Sequence, residues 1–298
     1  MEKIVPLTSA PVKGPMGVAH LPRLWLKCVL AAAGVAPEAY NTQNEGSNKT
    51  VIEGLGLDPG ATLAYLATRP SYLQFESWVR EHAAQCDAAS IAAVNAAIDA
   101  QQKPLDNAAA VRAFVGLADA NERGSSLLNA LDDWATVHAD LAERRGTTIA
   151  PIVPAVSSQS MGPLGLMHLP RFWMKATLAS AGALYDSWNS GAKSGFDVWF
   201  CGAIGLDLET AMAHVRTDFP GYLAFEAWVA ANAAHVSPGE IATHNAAMRA
   251  RQKPEEVAIR ECALLGIERP PDYHPSIELN DLVDWHTIHA QISVVQRL

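Results

Sequence analysis

His20-Leu-Pro-Arg-Leu-Trp-Leu-Lys27 returns 148 residues later as His168-Leu-Pro-Arg-Phe-Trp-Met-Lys175, with six of eight residues identical. Tyr72–Val79 and Tyr222–Val229 also share six of eight positions, and Ile91–Pro104 and Ile241–Pro254 share nine of fourteen. Asp133-Trp134 and His138 return as Asp284-Trp285 and His289. The offset drifts only from 148 to 151, so the matches are colinear and read as a tandem duplication. The first repeat spans 1–146 and the second 161–298. Between them, 147–160 is rich in Pro, Ser and Thr, which predicts an extended linker. Two copies of this size most economically form a pseudo-twofold pair, an internal pseudo-dimer resembling a fused homodimer. Further homo-oligomerisation stays open.

Working outward, each repeat reads as helical. Pro22 and Pro170 suit a first helical turn, where the missing donor is harmless. Leu24, Trp25, Val29 and Leu30 follow at helical spacing. A helix is expected over Ser71–Ala84. Ser237-Pro238-Gly239-Glu240 is a capping box opening a helix to about Gln252. The last helices are expected near Ser126–Arg145 and Leu279–Arg297. Alanine is abundant, and no long stretch alternates apolar and polar residues. The expected class is all-α, with two homologous helical domains.

Composition limits the function. Of 298 residues, 49% are hydrophobic and 18% charged, enough apolar material for sizeable cores. Twenty-two basic against 31 acidic residues leave a net charge of −9. That balance disfavours nucleic acid, which needs clustered cations, and also an anionic membrane surface. The opening residues lack the apolar core of a signal peptide. Cys28, Cys86, Cys201 and Cys262 stand far apart, so neither a disulfide framework nor a zinc ribbon is expected, and the reading is cytoplasmic.

The His-Leu-Pro-Arg-x-x-x-Lys pattern resembles the opening of a bacterial helical domain family of unknown function, whose members are about one repeat long. In that family an Asn and a Gly-Phe-Asp-x-x-Phe-x-x-x-x-Gly segment follow, then a Trp-containing helix and an Ile-x-x-x-Asn helix. The second repeat carries Asn189, Gly195-Phe196-Asp197, Phe200, Gly205, Trp228, Ile241 and Asn245. The first is looser, with Asn44, Asn48 at the Asp197 position, Gly56, Trp78, Ile91 and Asn95. The resemblance implies a compact helical domain and brings no activity to carry over. The family closes on an acidic run, where this chain has Asp284-Trp-His-Thr-Ile-His289 and Asp133-Trp-Ala-Thr-Val-His138.

The repeated polar set is His20/His168, Arg23/Arg171, Lys27/Lys175, Glu76/Glu226, Asn95/Asn245, Asp133/Asp284 and His138/His289. Arg and Lys four apart share a helical face and could clamp a carboxylate. Alternatively they form internal salt bridges with Glu76/Glu226 and Asp133/Asp284. The second repeat holds seven of the ten histidines, plus Trp188, Asp197, Trp199 and Cys201. Asn48 for Asp197 removes a titratable group, so acid–base chemistry there would survive only in the second repeat. Drift in a solvent-facing loop would look the same. Cys201 falls within an expected helix and reads as a buried, inert thiol.

The reading that follows is a cofactor-independent hydrolase or lyase acting on a small apolar or aromatic molecule. Its acid–base candidates are His168, Asp197, Asp284 and His289. Arg171 would orient the substrate, with Trp188, Trp199, Tyr222 and Trp285 stacking on it. No Gly-rich phosphate loop and no Gly-x-Ser-x-Gly elbow appears, and no cofactor is expected. His286 and His289, with Glu226 or His244 to complete the set, form only a weak metal candidate, and Ala135 replaces His286 in the first repeat. A non-catalytic small-molecule binder and a partner-binding helical scaffold are the rivals.

Overall fold

The structure, a computed structural model, describes residues 3–268, 273 and 275–294. Among these there are fourteen α-helices and no strand, only isolated bridges. The first half carries α1 (Leu21–Ala32), α2 (Gly46–Gly54), α3 (Pro59–Ala67), α4 (Tyr72–His82), α5 (Ala88–Asp99), α6 (Leu105–Val115) and α7 (Ser125–Glu143). The second carries α8 (Leu169–Ser180), α9 (Gly195–Ala203), α10 (Leu208–Asp218), α11 (Tyr222–Asn232), α12 (Pro238–Ala250), α13 (Glu255–Leu265) and α14 (Ser276–Val294). A 3-10 turn, Gly191–Lys193, precedes α9. Among the described residues no helix is long and apolar enough to cross a membrane.

The helix starts, the expected ones at Ser71 and Ser237 among them, are set by local chemistry. Ser71 and Gln74 form a capping box on α4, Ser237 and Glu240 on α12, and Asp58, Asp87, Ser194 and Asp207 cap α3, α5, α9 and α10. Each such oxygen satisfies an N–H that a helix start leaves open. The last helices run Ser125–Glu143 and Ser276–Val294, so the expected end at Arg297 lies outside the described residues.

The centre of each half is its first helix. Leu21–Leu30 of α1 and Leu169–Leu178 of α8 are buried without a break, Arg23, Lys27, Arg171 and Lys175 included. Such helices have no solvent face, so their polar residues must find partners inside the protein. Both begin at a histidine with left-handed backbone, His20 at φ 67° and His168 at φ 73°. That geometry costs a β-carbon-bearing residue on the order of 1 kcal/mol and persists only where its surroundings enforce it. The enforcing group is an asparagine. Asn95 accepts from the Ala19 N–H and donates to the Gly17 carbonyl, and Asn245 does the same for Met167 and Gly165.

The two halves do not close separate cores. One apolar cluster runs through both, from Trp25 and Phe75 to Phe172 and Phe225. Helix α14 packs on α1 and α4, while α7 packs on α8 and α11. Residues 153–158 and 160, within the expected linker, are buried. The Gln159 amide bonds the Lys13 backbone in both directions, and the Ser160 hydroxyl donates to that of Ser9.

Candidate functional site

His168 opens α8 and Asp197 lies in the first turn of α9, which brings the two together in the buried interior. The His168 Nε2 stands 3.3 Å from Asp197 Oδ1, and Nδ1 stands 2.8 Å from the Ser158 hydroxyl. A carboxylate only accepts, so Nε2 carries the ring proton and Nδ1 accepts from Ser158. Lys175 Nζ donates to both Asp197 oxygens at 2.8 and 2.9 Å and to Ser194 Oγ at 3.1 Å. The Gly191 N–H supplies a further bond to Asp197. Burial would push the Asp197 carboxyl up, but Lys175 and His168 outweigh it and hold the group below the usual range. Burial drives the His168 pKa down to about 4 against the pull of Asp197. The imidazole is therefore neutral at pH 7 beside an ionised carboxylate.

The matching place in the first half is uncharged on its acceptor side. Asn48 Oδ1 accepts from His20 Nε2 at 3.0 Å and from Lys27 at 2.8 Å, and its amide donates to the Asn41 and Gln43 carbonyls. Ala10 stands where Ser158 would be, and His20 Nδ1 is buried without a hydrogen bond.

Asp284 belongs to a different group. Arg171 donates to its two oxygens at 2.5 and 3.2 Å, and the Trp188 indole N–H donates at 2.8 Å. The same guanidinium holds the Pro154 and Val156 carbonyls, tying the buried 153–158 segment to α8 and α14. In the first half Arg23 binds Asp133 at 2.6 Å and the Pro6 and Thr8 carbonyls, with Tyr40 in the role of Trp188. Of the expected pairings, Arg with Asp133/Asp284 is present. Glu76 and Glu226 instead accept from Tyr72 and Tyr222, both at 2.7 Å.

His289 lies apart from His168, Asp197 and Asp284 and turns to the first half. Its Nε2 donates to the Arg69 carbonyl at 3.0 Å, and its ring packs on Trp25. His138 reciprocates on the Phe219 carbonyl at 3.1 Å and on Trp173. Trp285 is buried against Trp25 and Tyr72 and donates to the Thr8 hydroxyl, which makes it a core residue rather than a surface on which a substrate stacks. The acid–base candidates thus fall into three separate hydrogen-bonded groups. Among the described residues no three His, Cys, Asp or Glu are gathered as a metal site, so His286, His289 and Glu226 do not converge. Cys201 is buried, with its pKa pushed up to about 12 by burial.

A cleft of about 550 Å3 opens elsewhere, between the C-terminal end of α6, the middle of α7 and the first turn of α11. Phe114, Leu131, Ala135, Leu223 and Tyr222 line it, with the His138 ring among them. Because Nε2–H is spent on the Phe219 carbonyl, His138 Nδ1 is an acceptor. Burial lowers the pKa of this ring, against the pull of that carbonyl, and favours the neutral form. Helix α11 begins at Gly221 with no side-chain cap, whereas α4 is closed by Ser71. Its leading N–H groups therefore have no side-chain acceptor, and Gly221–Ala224 line the cleft.

Protein-family models, curated proteins and solved structures were compared with the chain, and none matches.

Of the candidates read from sequence, Tyr222 alone lines this cleft. His138 was legible as a repeat of His289, but nothing marked its role. Ser158 and the 153–158 segment were missed, although Ile4-Val5-Pro6 and Ser9 return as Ile152-Val153-Pro154 and Ser157. That match at the 148-residue offset was the available signal.

Proposed function

We propose that this chain is a helical binding protein that takes a small, largely apolar or aromatic molecule with one oxygen function. The cleft between α6, α7 and α11 carries this reading. Its walls are apolar, its volume suits a ligand of that size, and its polar groups are few and convergent: the His138 acceptor and the uncapped start of α11. We further propose a pseudo-twofold tandem duplication, supported by the paired bonds of Arg23/Arg171, Asn95/Asn245 and His138/His289. The wide spacing of the cysteines in the sequence, with no Cys-x-x-Cys pair, favours a cytoplasmic setting.

The test is calorimetric titration with 1-naphthol, an apolar ring bearing one hydroxyl. Saturable one-to-one binding is expected, and Ala135→Trp, which fills the cleft, should abolish it while leaving the circular dichroism unchanged. Absence of saturable binding, or equal binding by the filled variant, would sink the reading.

A second reading, cofactor-independent hydrolysis or elimination in the second half, is favoured by the ionised Asp197 beside neutral His168. It requires the bound molecule to be chemically altered on incubation. Unchanged turnover in Asp197→Asn and in His289→Ala, made singly, would end it.

A further inference from the structure

The differences between the halves concentrate over α9 and α12. In the second half the Arg251 guanidinium sits 4.5 Å from the Trp199 ring centroid and 5.0 Å from that of Phe196. In the first half the matching residues are Gln101, Thr50 and Ser47, which bond one another. The Ser47 hydroxyl donates to the Gln101 oxygen, and the Gln101 amide donates to Thr50. That trio is neutral and uses up its own donors. The Arg251 arrangement does not: aromatic faces fix the cation's plane but leave its N–H fork unspent.

No carboxylate pairs with Arg251 among the described residues, and burial alone acts on it, drawing its pKa down. Asp197, nearby on α9, is already committed to Lys175, His168 and Gly191. A second group points the same way. His244 on α12 is 6% exposed and packs against both Trp199 and Phe200. The Met167 backbone is the one polar group that reaches its ring, and no side chain bonds either nitrogen. Buried polar atoms without partners are uncommon and call for one. Val94 stands at this position in the first half.

We propose that Arg251, stacked on Trp199 and Phe196 with His244 behind them, forms a binding site for a small carboxylate, present in the second half only. The guanidinium fork takes the carboxylate edge-on, the two rings hold that fork in place, and the His244 ring supports Trp199 from the interior. Trp199, read from sequence as a substrate-stacking residue, serves here by orienting the cation. The site is independent of the α6–α7–α11 cleft.

The experiment is titration of the full chain with sodium benzoate, with benzamide as the uncharged control. The indole N–H resonance of Trp199 is followed, assigned by Trp199→Phe. Benzoate should shift that resonance saturably and benzamide should not. Arg251→Gln, which installs the first half's residue, should weaken benzoate at least about tenfold. His244→Val, again the first half's residue, should weaken it several-fold. Arg251→Lys keeps the charge without the fork, should bind in between, and serves if Arg251→Gln fails to fold. Ala135→Trp should bind benzoate as the parent does. The proposal is overturned if benzoate produces no saturable shift, if benzamide matches it, or if folded Arg251→Gln or Arg251→Lys binds as tightly as the parent.

Discussion

Two histidines in the same backbone geometry differ at Nδ1 by one hydroxyl. His168 Nδ1 receives the Ser158 hydroxyl, and His20 Nδ1, beside Ala10, receives nothing. The tryptophans show the converse pair: Trp285 donates to Thr8, while Trp134 Nε1 is buried without a partner and Val156 stands at the position matching Thr8. A buried polar atom left unpaired costs about 1–3 kcal/mol, and a hydrogen bond returned to it recovers about 1 kcal/mol. Ala10→Ser should therefore raise stability by about 1 kcal/mol, and Ser158→Ala should lower it by at least as much. Urea melts should show shifted midpoints at unchanged slope. If Ala10→Ser destabilises, the space beside His20 is too tight for a hydroxyl and the orphaned nitrogen is not what limits that site. The His/Asp pair was legible as a pair of titratable residues. Its third member was not, because Ser158 lies in a stretch whose prolines and serines read as linker.

At the scale of elements, two of the contacts that fasten the last helix of the second half differ in strength. Arg171–Asp284 is fully buried, and the same guanidinium holds two backbone carbonyls. Removing one member of such a pair strands a charge in the interior, at about 3–5 kcal/mol. His289 makes one hydrogen bond to the Arg69 carbonyl from a half-buried position, worth about 1 kcal/mol. Asp284→Ala should thus destabilise several times more than His289→Ala in thermal melts of the full chain. Equal losses would mean that Arg171 finds another acceptor when Asp284 is gone. Pro22, Pro170 and Ser237 announced their helices because caps are local chemistry. Arg171 and Asp284 could be named but not joined, since they stand 113 residues apart and only the tertiary fold decides the pairing.

Across the whole molecule, the recurring motifs were legible but the way the halves share a core was not. Sequence identity locates equivalent residues, and it is silent on whether Trp285 packs within its own half or the other. In the structure Trp285 meets Trp25 and Tyr72, and Trp134 meets Tyr222, so each half lends its last helix to the other. Residues 1–146 alone would expose the face of α7 that carries Trp134 and His138, and also the faces of α1 and α4 that receive α14. Those two surfaces match one another in kind. The fragment should therefore either dimerise, its own α7 replacing α14, or remain unfolded, and it should not be a stable monomer. Mixing it with residues 147–298 should restore a one-to-one complex with the helicity of the intact chain. Sedimentation equilibrium and far-ultraviolet circular dichroism of each fragment and of the mixture decide this. A cooperatively folded 1–146 monomer would mean that α7 turns back to cover its own half. The shared core would then follow from joining the repeats, because a half that buries its own apolar face has no need of its neighbour.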